Sequence, residues 1–212
     1  MKSGYFISLE GGEGAGKSTQ AELLREALEA RGLDIVTTRE PGGTAGAEAI
    51  RELLLHPPGE GWGAKAEALL FAAARADHVS RLIEPALSAG KWVICDRFID
   101  SSRAYQGGAG GLGDEQILAL HRIGSGGMLP DVSFLLDAGV EECAARLARR
   151  GADQDDAIES RAAAYHRSVE EAFRAIADAE PGRVRRIASS GSVADTHQAI
   201  MDALAPMLES SP

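Results

Sequence analysis

The feature that most constrains the fold of this chain is a glycine-rich segment close to its N-terminus. Residues 11–18 read Gly-Gly-Glu-Gly-Ala-Gly-Lys-Ser and match the pattern G-x-x-x-x-G-K-S/T. The short apolar run 5–9 precedes this segment, and the helical pattern of 17–31 follows it. A strand that turns through glycines into a helix directs backbone N–H groups and the positive end of the helix at a phosphate. The segment therefore predicts a phosphate-binding loop.

We expect this loop to bind a nucleoside triphosphate. Lys17 is expected to neutralise the β- and γ-phosphates, and the hydroxyl of Ser18 is expected to bind Mg²⁺. The residues expected to bind the triphosphate are Gly11, Gly12, Glu13, Gly14, Ala15, Gly16, Lys17, Ser18 and Thr19. A glycine-rich turn without function is the alternative, and the flanking strand and helix argue against it. Kinases, GTPases and motor ATPases all use such loops, so the loop alone leaves the reaction open.

Strand and helix patterns alternate along the rest of the chain. The predicted strands are 5–9, 33–38, 91–95, 132–136 and 184–189, and the predicted helices are 17–31, 44–55, 65–89, a short one from Asp114, 140–150, 159–179 and 193–208. Residues 107–113 are predicted to form a glycine-rich loop. We expect an α/β fold in three layers, with a parallel sheet of about five strands, helices on both faces and a short mobile lid at about 150–158.

Length and composition fit one soluble domain, expected to span 1–212. The net charge of −10 argues against nucleic acid as a partner, although a local group of basic side chains can still bind a small anion. The two cysteines have no C-x-x-C spacing, and no apolar run is long enough to span a membrane, which predicts a cytoplasmic location. The five histidines show no metal-ligand spacing and are interpreted as solvated or packed.

A second element suited to phosphate follows the third predicted strand. Asp96 lies at the end of this apolar strand, on the edge of the sheet where α/β folds bind ligands. Its carboxylate is expected to hold Mg²⁺ or the water around it, and Arg97 suits bidentate recognition of phosphate. An ordinary surface Asp–Arg pair is the alternative interpretation. Two separate phosphate-binding elements favour a phosphotransferase whose acceptor is itself phosphorylated.

Other classes of P-loop protein fit less well. GTPases read guanine through an Asn-Lys-x-Asp loop, and this chain contains no asparagine. An ATPase that works on DNA is expected to be longer and to carry a basic surface. Both observations favour a small-molecule kinase.

Segments that follow one another in a fixed order carry a family resemblance. They are the loop 11–18, TREPGGT at 38–44, EALLFAAAR at 67–75, DRF at 96–98, SSRAYQG at 101–107 and 130–137. Over about residues 4–208 the chain resembles the thymidylate kinase family. The resemblance implies a homodimeric, Mg²⁺-dependent kinase that transfers a phosphoryl group from ATP to dTMP and forms dTDP for dTTP biosynthesis.

The resemblance also implies how the acceptor is bound. Phe71 would stack on thymine, and Arg75, one helical turn later, would hydrogen-bond the base. Tyr105 would lie near the sugar, where a ribose 2′-OH would crowd it. The implied acceptor-binding residues are Arg39, Glu40, Phe71, Arg75, Arg97, Ser101, Ser102, Tyr105 and Gln106, and the implied metal ligands are Ser18 and Asp96. Without the resemblance, Phe71 would be interpreted as a core residue and 101–107 as a structural turn.

One stretch departs from the family pattern. Many bacterial members place an arginine in a lid motif Asp-Arg-x-Glu, whereas residues 156–159 read Asp-Ala-Ile-Glu. Either Arg149, Arg150 or Arg161 supplies the missing charge from a shifted register, or the enzyme is slow. We expect alanine at one of the three to lower kcat far more than it raises either KM. The expected catalytic residues are Lys17, Arg97, Asp96, Glu13 and Arg150. A different nucleotide or deoxynucleoside kinase, or a nucleotide-binding regulator with little turnover, remains the alternative.

Overall fold

The computed structural model describes residues 4–150 and 161–209, except for the side chains of Val140, Leu147, Arg149 and Arg150. The strands are β1 (Phe6–Glu10), β2 (Ile35–Arg39), β3 (Trp92–Asp96), β4 (Val132–Asp137) and β5 (Val184–Ala188). The helices are α1 (Lys17–Glu29), α2 (Ala45–Leu55), α3 (Ala64–His78), α4 (Glu84–Ser88), α5 (Ile99–Ser102), α6 (Asp114–Ser125), α7 (Val140–Arg150), α8 (Ala163–Ala179) and α9 (Val193–Glu209). A π-helical turn, Val79–Ile83, joins α3 to α4, and the π-helical segment Arg103–Ala109 continues α5.

The strands form one parallel sheet in the order β2-β3-β1-β4-β5. In the described part of the chain each strand lies within two residues of its prediction. All five residues of β1 are buried, because β3 and β4 flank it and helices cover both faces. The order reverses at β1, so the loops after β1 and β3 meet at the carboxyl edge of the sheet, where such folds bind ligands.

Helices pack on both faces of this sheet. On one face Leu24 of α1 and Ile200 of α9 join the apolar core around β1 and β4. On the other face Ile83, between α3 and α4, and Ile117 of α6 join a second core around β1 and β3. A third cluster holds α8 against the π-helical segment after α5. The predicted α/β fold with helices on both faces is confirmed.

The prediction of a loop at 107–113 is wrong for its first three residues, which lie in the π-helical segment. The glycines there allow a close approach of two elements instead of a turn. A Cβ atom on Gly108 would lie 2.5 Å from the Cβ atom of Ala172 on α8, and one on Gly107 would lie 3.2 Å from the side chain of Ile117. A glycine that allows close packing and a glycine that allows a turn look the same in the sequence.

Two predictions fall on residues outside the described ranges. They are most of the lid at about 150–158 and the stretch 156–159 where the family pattern is interrupted. The predicted helix 159–179 is observed from Ala163 onward. Across the described ranges, no helix is both long and apolar enough to cross a membrane.

Candidate active site

The glycine-rich segment forms a tight loop between β1 and α1. Gly11, Gly14 and Gly16 have φ values of 137°, 76° and 96°, which side-chain-bearing residues rarely adopt. A Cβ atom on Gly11 would also lie 2.7 Å from the carbonyl oxygen of Leu136 on β4. The loop therefore needs glycine for its backbone conformation and for its contact with the sheet.

Lys17 lies folded over this loop at the start of α1. Its side chain is buried, and Nζ donates hydrogen bonds to the carbonyl oxygens of Gly12 at 2.8 Å and Gly11 at 3.2 Å. Burial and the nearby charge of Arg97 lower the pKa of Lys17. An anion bound in the loop would supply the opposite charge that this ammonium group requires.

Ser18 and Asp96 meet where the loop faces the end of β3. The hydroxyl of Ser18 donates to Oδ2 of Asp96 across 2.6 Å. A hydroxyl and a carboxylate are hard oxygen donors of the kind that Mg²⁺ prefers, and Mg²⁺ keeps its other positions for water and phosphate. Within the described ranges no group of three or more His, Cys, Asp or Glu residues surrounds a metal site. This pair therefore fits a Mg²⁺ ion carried with a nucleotide better than one held by protein alone.

Arg97, the residue after Asp96, is fixed by several hydrogen bonds. Its φ of 70° is positive, which costs a non-glycine residue about 1 kcal/mol and persists only where surrounding contacts hold it. Nη1 donates to the carbonyl oxygen of Gly11 at 2.9 Å and to Ser101 at 3.1 Å, and Nη2 pairs with Glu13. The strand end thus presents one guanidinium group directly beside the phosphate-binding loop.

Tyr105 and Glu13 complete the surroundings of this guanidinium. The Tyr105 ring lies 5.2 Å from the Arg97 guanidinium carbon, and its hydroxyl donates to Glu13 at 3.3 Å. Burial raises the pKa of Glu13, but the charges of Arg97 and Lys17 outweigh it and hold that pKa below its usual value. Burial raises the pKa of the Tyr105 phenol, so Tyr105 is a neutral donor near neutral pH. Glu13 is an ionised acceptor between two cations.

A cavity of about 220 Å³ extends from the loop to α3. It is lined by Glu13, Gly14, Gly16, Lys17, Ser18, Arg39, Glu40, Pro41, Arg51, Leu55, Phe71, Arg75, Asp96, Arg97, Phe98, Ser101, Ser102, Tyr105 and Gln106. Five of these side chains are basic and three are acidic, although the whole chain carries a net charge of −10. The local excess of basic groups suits an anionic ligand.

The end of the cavity at α3 combines an aromatic ring with directed polar groups. Phe71 is half-buried there, and Arg75 is 3% exposed. Arg75 donates through Nε to Glu40 at 2.7 Å and through Nη2 to Ser102 at 2.8 Å. Gln106 donates through its amide to Glu67 at 2.9 Å. A ring beside fixed donors and acceptors is suited to a flat heterocycle.

Every residue predicted to bind the acceptor lines this cavity, together with Glu13, Gly14, Gly16, Lys17, Ser18 and Asp96 from the other predicted groups. Gly11 and Gly12 instead border a second cavity of about 290 Å³ against α7 and α8, Ala15 is buried, and Thr19 is exposed on α1. The side chains of Arg149 and Arg150 lie outside the described part of the structure. Arg161 pairs with Glu67 and with the hydroxyl of Tyr165 at 2.6 Å.

Several residues of the site were missed by sequence reasoning. Pro41, Arg51, Leu55 and Phe98 also line the cavity, and Arg51 donates to the carbonyl oxygen of Pro41 at 2.8 Å. Arg51 lies in α2, the helix that follows the TREPGGT segment at 38–44, so an arginine one or two turns into that helix was the signal available. Glu10 was missed because its partners Phe98 and Ser101 lie 88 and 91 residues later in the chain.

Glu10 forms hydrogen bonds with the residues that follow Arg97 in the chain. It is fully buried and accepts hydrogen bonds from the backbone N–H of Phe98 at 2.9 Å and the hydroxyl of Ser101 at 2.6 Å. Burial, followed by the charge of Asp100, raises the pKa of Glu10 from 4.5 to about 7. The folded state therefore holds this proton more tightly than the unfolded chain does.

We expect this carboxyl group to make stability depend on pH. Because its pKa is raised on folding, its stabilising contribution is complete below pH 4.5 and is lost as the pH rises through about 7. The side chain at position 10 of the Glu10→Gln variant cannot ionise. Between pH 5 and pH 8, the free energy of unfolding of the wild type should therefore fall by about 2 kcal/mol relative to that of this variant. Urea unfolding at several pH values measures the difference. A difference independent of pH would contradict the assignment.

The loop, the Asp96–Arg97 strand end and the cavity that joins them define a P-loop phosphotransferase with room for an anionic acceptor. The sequence model of the thymidylate kinase family matches residues 9–200. The chain belongs to the thymidylate kinase family.

Individual relatives agree with this membership. A thymidylate kinase of Rhizorhabdus wittichii strain RW1 is 58% identical over 205 residues, which cover 97% of this chain and 99% of that protein. One of Rhodopseudomonas palustris strain TIE-1 is 55% identical over 182 residues, which cover 85% of this chain and 79% of that protein. The crystal structure of thymidylate kinase from Ehrlichia chaffeensis is similar with a TM-score of 0.77 and 33% identity, covering 96% of this chain and 99% of that one. The resemblance stated from the sequence is confirmed.

Proposed function

We propose that this protein transfers the γ-phosphoryl group of ATP to dTMP and forms dTDP and ADP. Membership of the thymidylate kinase family supports the predicted ATP-dependent nucleoside monophosphate kinase. The single observation that carries the proposal is the continuous cavity from Lys17 in the loop, past Arg97, to Phe71 and Arg75 on α3. A monophosphate nucleotide bound with its base at α3 would direct its phosphate at the loop.

In this arrangement the protein acts by positioning and by charge. Lys17 would hold the terminal phosphates of ATP, and Arg97, in contact with Glu13, would hold the acceptor phosphate between loop and base. The second pKa of a phosphate monoester lies near 6, so the acceptor oxygen is already anionic near neutral pH. We therefore assign no general base. The basic lining stabilises the negative charge that the two nucleotides bring together.

Ser18 and Asp96 are the residues we propose to hold Mg²⁺. Their oxygen atoms already lie within hydrogen-bonding distance of each other, and both are of the type the ion prefers. Mg²⁺, when bound with ATP, neutralises part of the charge on the β- and γ-phosphates. Asp96 would also keep the hydroxyl of Ser18 directed at that position.

A panel of acceptors tests the proposed reaction. ADP formation is measured with ATP and Mg²⁺ in the presence of dTMP, dUMP, dCMP, dGMP or thymidine, and without acceptor. We expect dTMP to give the highest kcat/KM. A different preferred acceptor would identify another nucleotide or deoxynucleoside kinase, and absence of turnover despite ATP binding would indicate a nucleotide-binding regulator.

Arg150 remains the arginine that we propose to act on the transferring phosphate. Arg161 is already paired with Glu67 and lies with its guanidinium carbon 4.7 Å from the Tyr165 ring centre, which leaves it less suited to that function. Single alanine variants of Arg149, Arg150 and Arg161 distinguish the three by their kcat. Three variants with kcat close to that of the wild type would contradict a replacement arginine in this segment.

We further propose a homodimer in the cytoplasm. Leu69 on α3 and Ile123 on α6 are 56% and 84% exposed, and α3 and α6 pack side by side. Exposed apolar side chains on adjacent helices favour association with a second copy. Cys95 and Cys143 are both free thiols, as expected in a reducing compartment. Light scattering after size-exclusion chromatography measures the oligomeric state, and a monomer at micromolar concentration would contradict the dimer.

A further inference from the structure

A chain of hydrogen bonds, buried except at Thr38, runs from β2 to Arg75 at the end of the cavity formed by α3. His78 lies three residues after Arg75 on α3 and is fully buried. Its Nδ1 lies 3.0 Å from Oε1 of Glu40, and its Nε2 lies 2.7 Å from the hydroxyl oxygen of Thr38. The other carboxylate oxygen of Glu40 accepts the hydrogen bond from Nε of Arg75 at 2.7 Å. One carboxylate thus joins the histidine to the arginine.

The hydrogen-bonding capacity of these groups fixes how they are arranged. An ionised carboxylate can only accept, so the contact with Glu40 places a proton on Nδ1 of His78. Nε2 forms the second hydrogen bond of the ring, with the hydroxyl of Thr38. Both ring nitrogens therefore have partners, and the ring of His78 is fixed against the carboxylate of Glu40.

The ring of His78 is also held by the glycine turn at the edge of the cavity. Gly43 has a φ of 87°, and a Cβ atom on it would lie 2.6 Å from Nε2 of His78 and 2.4 Å from the hydroxyl oxygen of Thr38. The turn backbone therefore packs directly on the Thr38–His78 pair. Pro41 in the same turn lines the cavity. His78 thus connects α3 with the turn at the level of the base site.

We propose that His78 is a positioning residue for recognition of the acceptor base, an inference that rests on the function proposed above. By holding one oxygen of Glu40, His78 fixes the other oxygen on Nε of Arg75. With Nε held in this way, Nη2 of Arg75 donates to Ser102 at the cavity wall and to the carbonyl oxygen of Phe98 at 3.4 Å. The terminal torsion of a glutamate is soft, so a carboxylate held at one oxygen only can rotate and carry the guanidinium with it. A displacement of about 1 Å is enough to weaken a directed hydrogen bond to the base.

Steady-state kinetics of His78→Leu test this proposal. We expect kcat/KM for dTMP to fall about 10-fold, mainly through a higher KM for dTMP, with the KM for ATP unchanged within about 2-fold. His78→Asn retains an N–H donor in the position of Nδ1 and should stay within about 3-fold of the wild type. A structural role alone would raise both KM values, or lower kcat, in proportion to lost stability.

A double-mutant cycle identifies Arg75 as the group through which His78 acts. In an Arg75→Met background, His78→Leu should change the KM for dTMP by less than about 2-fold, because the group it positions is absent. An equal loss in both backgrounds would overturn the proposal, as would an unchanged KM for dTMP in His78→Leu. If His78→Leu does not fold, His78→Asn is compared with His78→Gln, whose donor is displaced from Glu40, and equal KM values in that pair overturn the proposal.

The wild type separates this inference from the proposed function. If the wild-type enzyme does not phosphorylate dTMP, the proposed function fails before any variant is considered. If the wild type does phosphorylate dTMP, but the His78 variants have the same KM for dTMP as the wild type, only the positioning role of His78 fails.

Discussion

Replacing Lys17 with methionine is expected to lower kcat by about 10³-fold or more without weakening the fold. Nζ of Lys17 lies against the carbonyl oxygens of Gly11 and Gly12, at the place where the loop would receive the terminal phosphates. Methionine fills a similar volume but carries no charge to stabilise the transferring group. Burial already lowers the pKa of Lys17, so the ammonium group is unfavourable in the absence of a nucleotide. Loss of that buried charge should leave the melting temperature unchanged or raise it.

Initial rates with saturating dTMP and ATP, together with thermal unfolding of the ligand-free protein, measure both parts of this expectation. Lys91→Met is the matched control, because Lys91 lies at the end of β3 that is opposite to Asp96 and the active site. Lys91 is partly exposed and pairs with Asp34. The control should retain the wild-type kcat. A Lys17→Met variant with kcat within about 10-fold of the wild type would contradict our assignment of this residue. A Lys17→Met variant that loses activity and also unfolds at a lower temperature would contradict our expectation that the buried ammonium group does not stabilise the ligand-free fold.

The parts of the site that could be predicted from the sequence are those specified by neighbours in the chain. The loop 11–18 is recognisable because its glycines, its lysine and the flanking strand and helix are contiguous. Asp96 is recognisable because it ends a fully apolar strand, and a parallel sheet places such ends along one edge. The three central strands β1, β3 and β4 were located for the same reason, since burial on both faces leaves a nearly continuous apolar run.

The parts that could not be predicted depend on contacts between distant residues. Glu10 ends an apolar strand as Asp96 does, but its hydrogen bond with the N–H of Phe98 exists only because β1 pairs with β3. His78 resembles a packed histidine, and its function depends on Glu40, which is 38 residues earlier in the chain. Gly108 is misread as part of a loop because nothing local shows that Ala172 of α8 approaches it.

Arg97 gives the second large effect that we expect, and the geometry allows it to be separated from a loss of stability. Arg97→Ala should lower kcat/KM for dTMP by about 10³-fold, because the guanidinium between Gly11, Ser101 and Glu13 is the group that we propose to bind the acceptor phosphate. Arg97→Lys keeps the charge but loses the two-pronged geometry, so a loss of about 10²-fold is expected. Most of each loss should appear in the kinetic constants for dTMP. The affinity for ATP, measured in the absence of dTMP, should change little.

Arg97→Gly provides the matched control for the backbone. The φ of 70° at this position is unfavourable for alanine and for arginine but costs glycine little. Arg97→Gly and Arg97→Ala should therefore lose the same activity, whereas the glycine variant should be more stable than the alanine variant by about 1 kcal/mol. Denaturant unfolding compares the two free energies, and kinetics with dTMP compares their activities. Activities that rise with stability across this pair would mean that the fold, and not the guanidinium group, accounts for the loss.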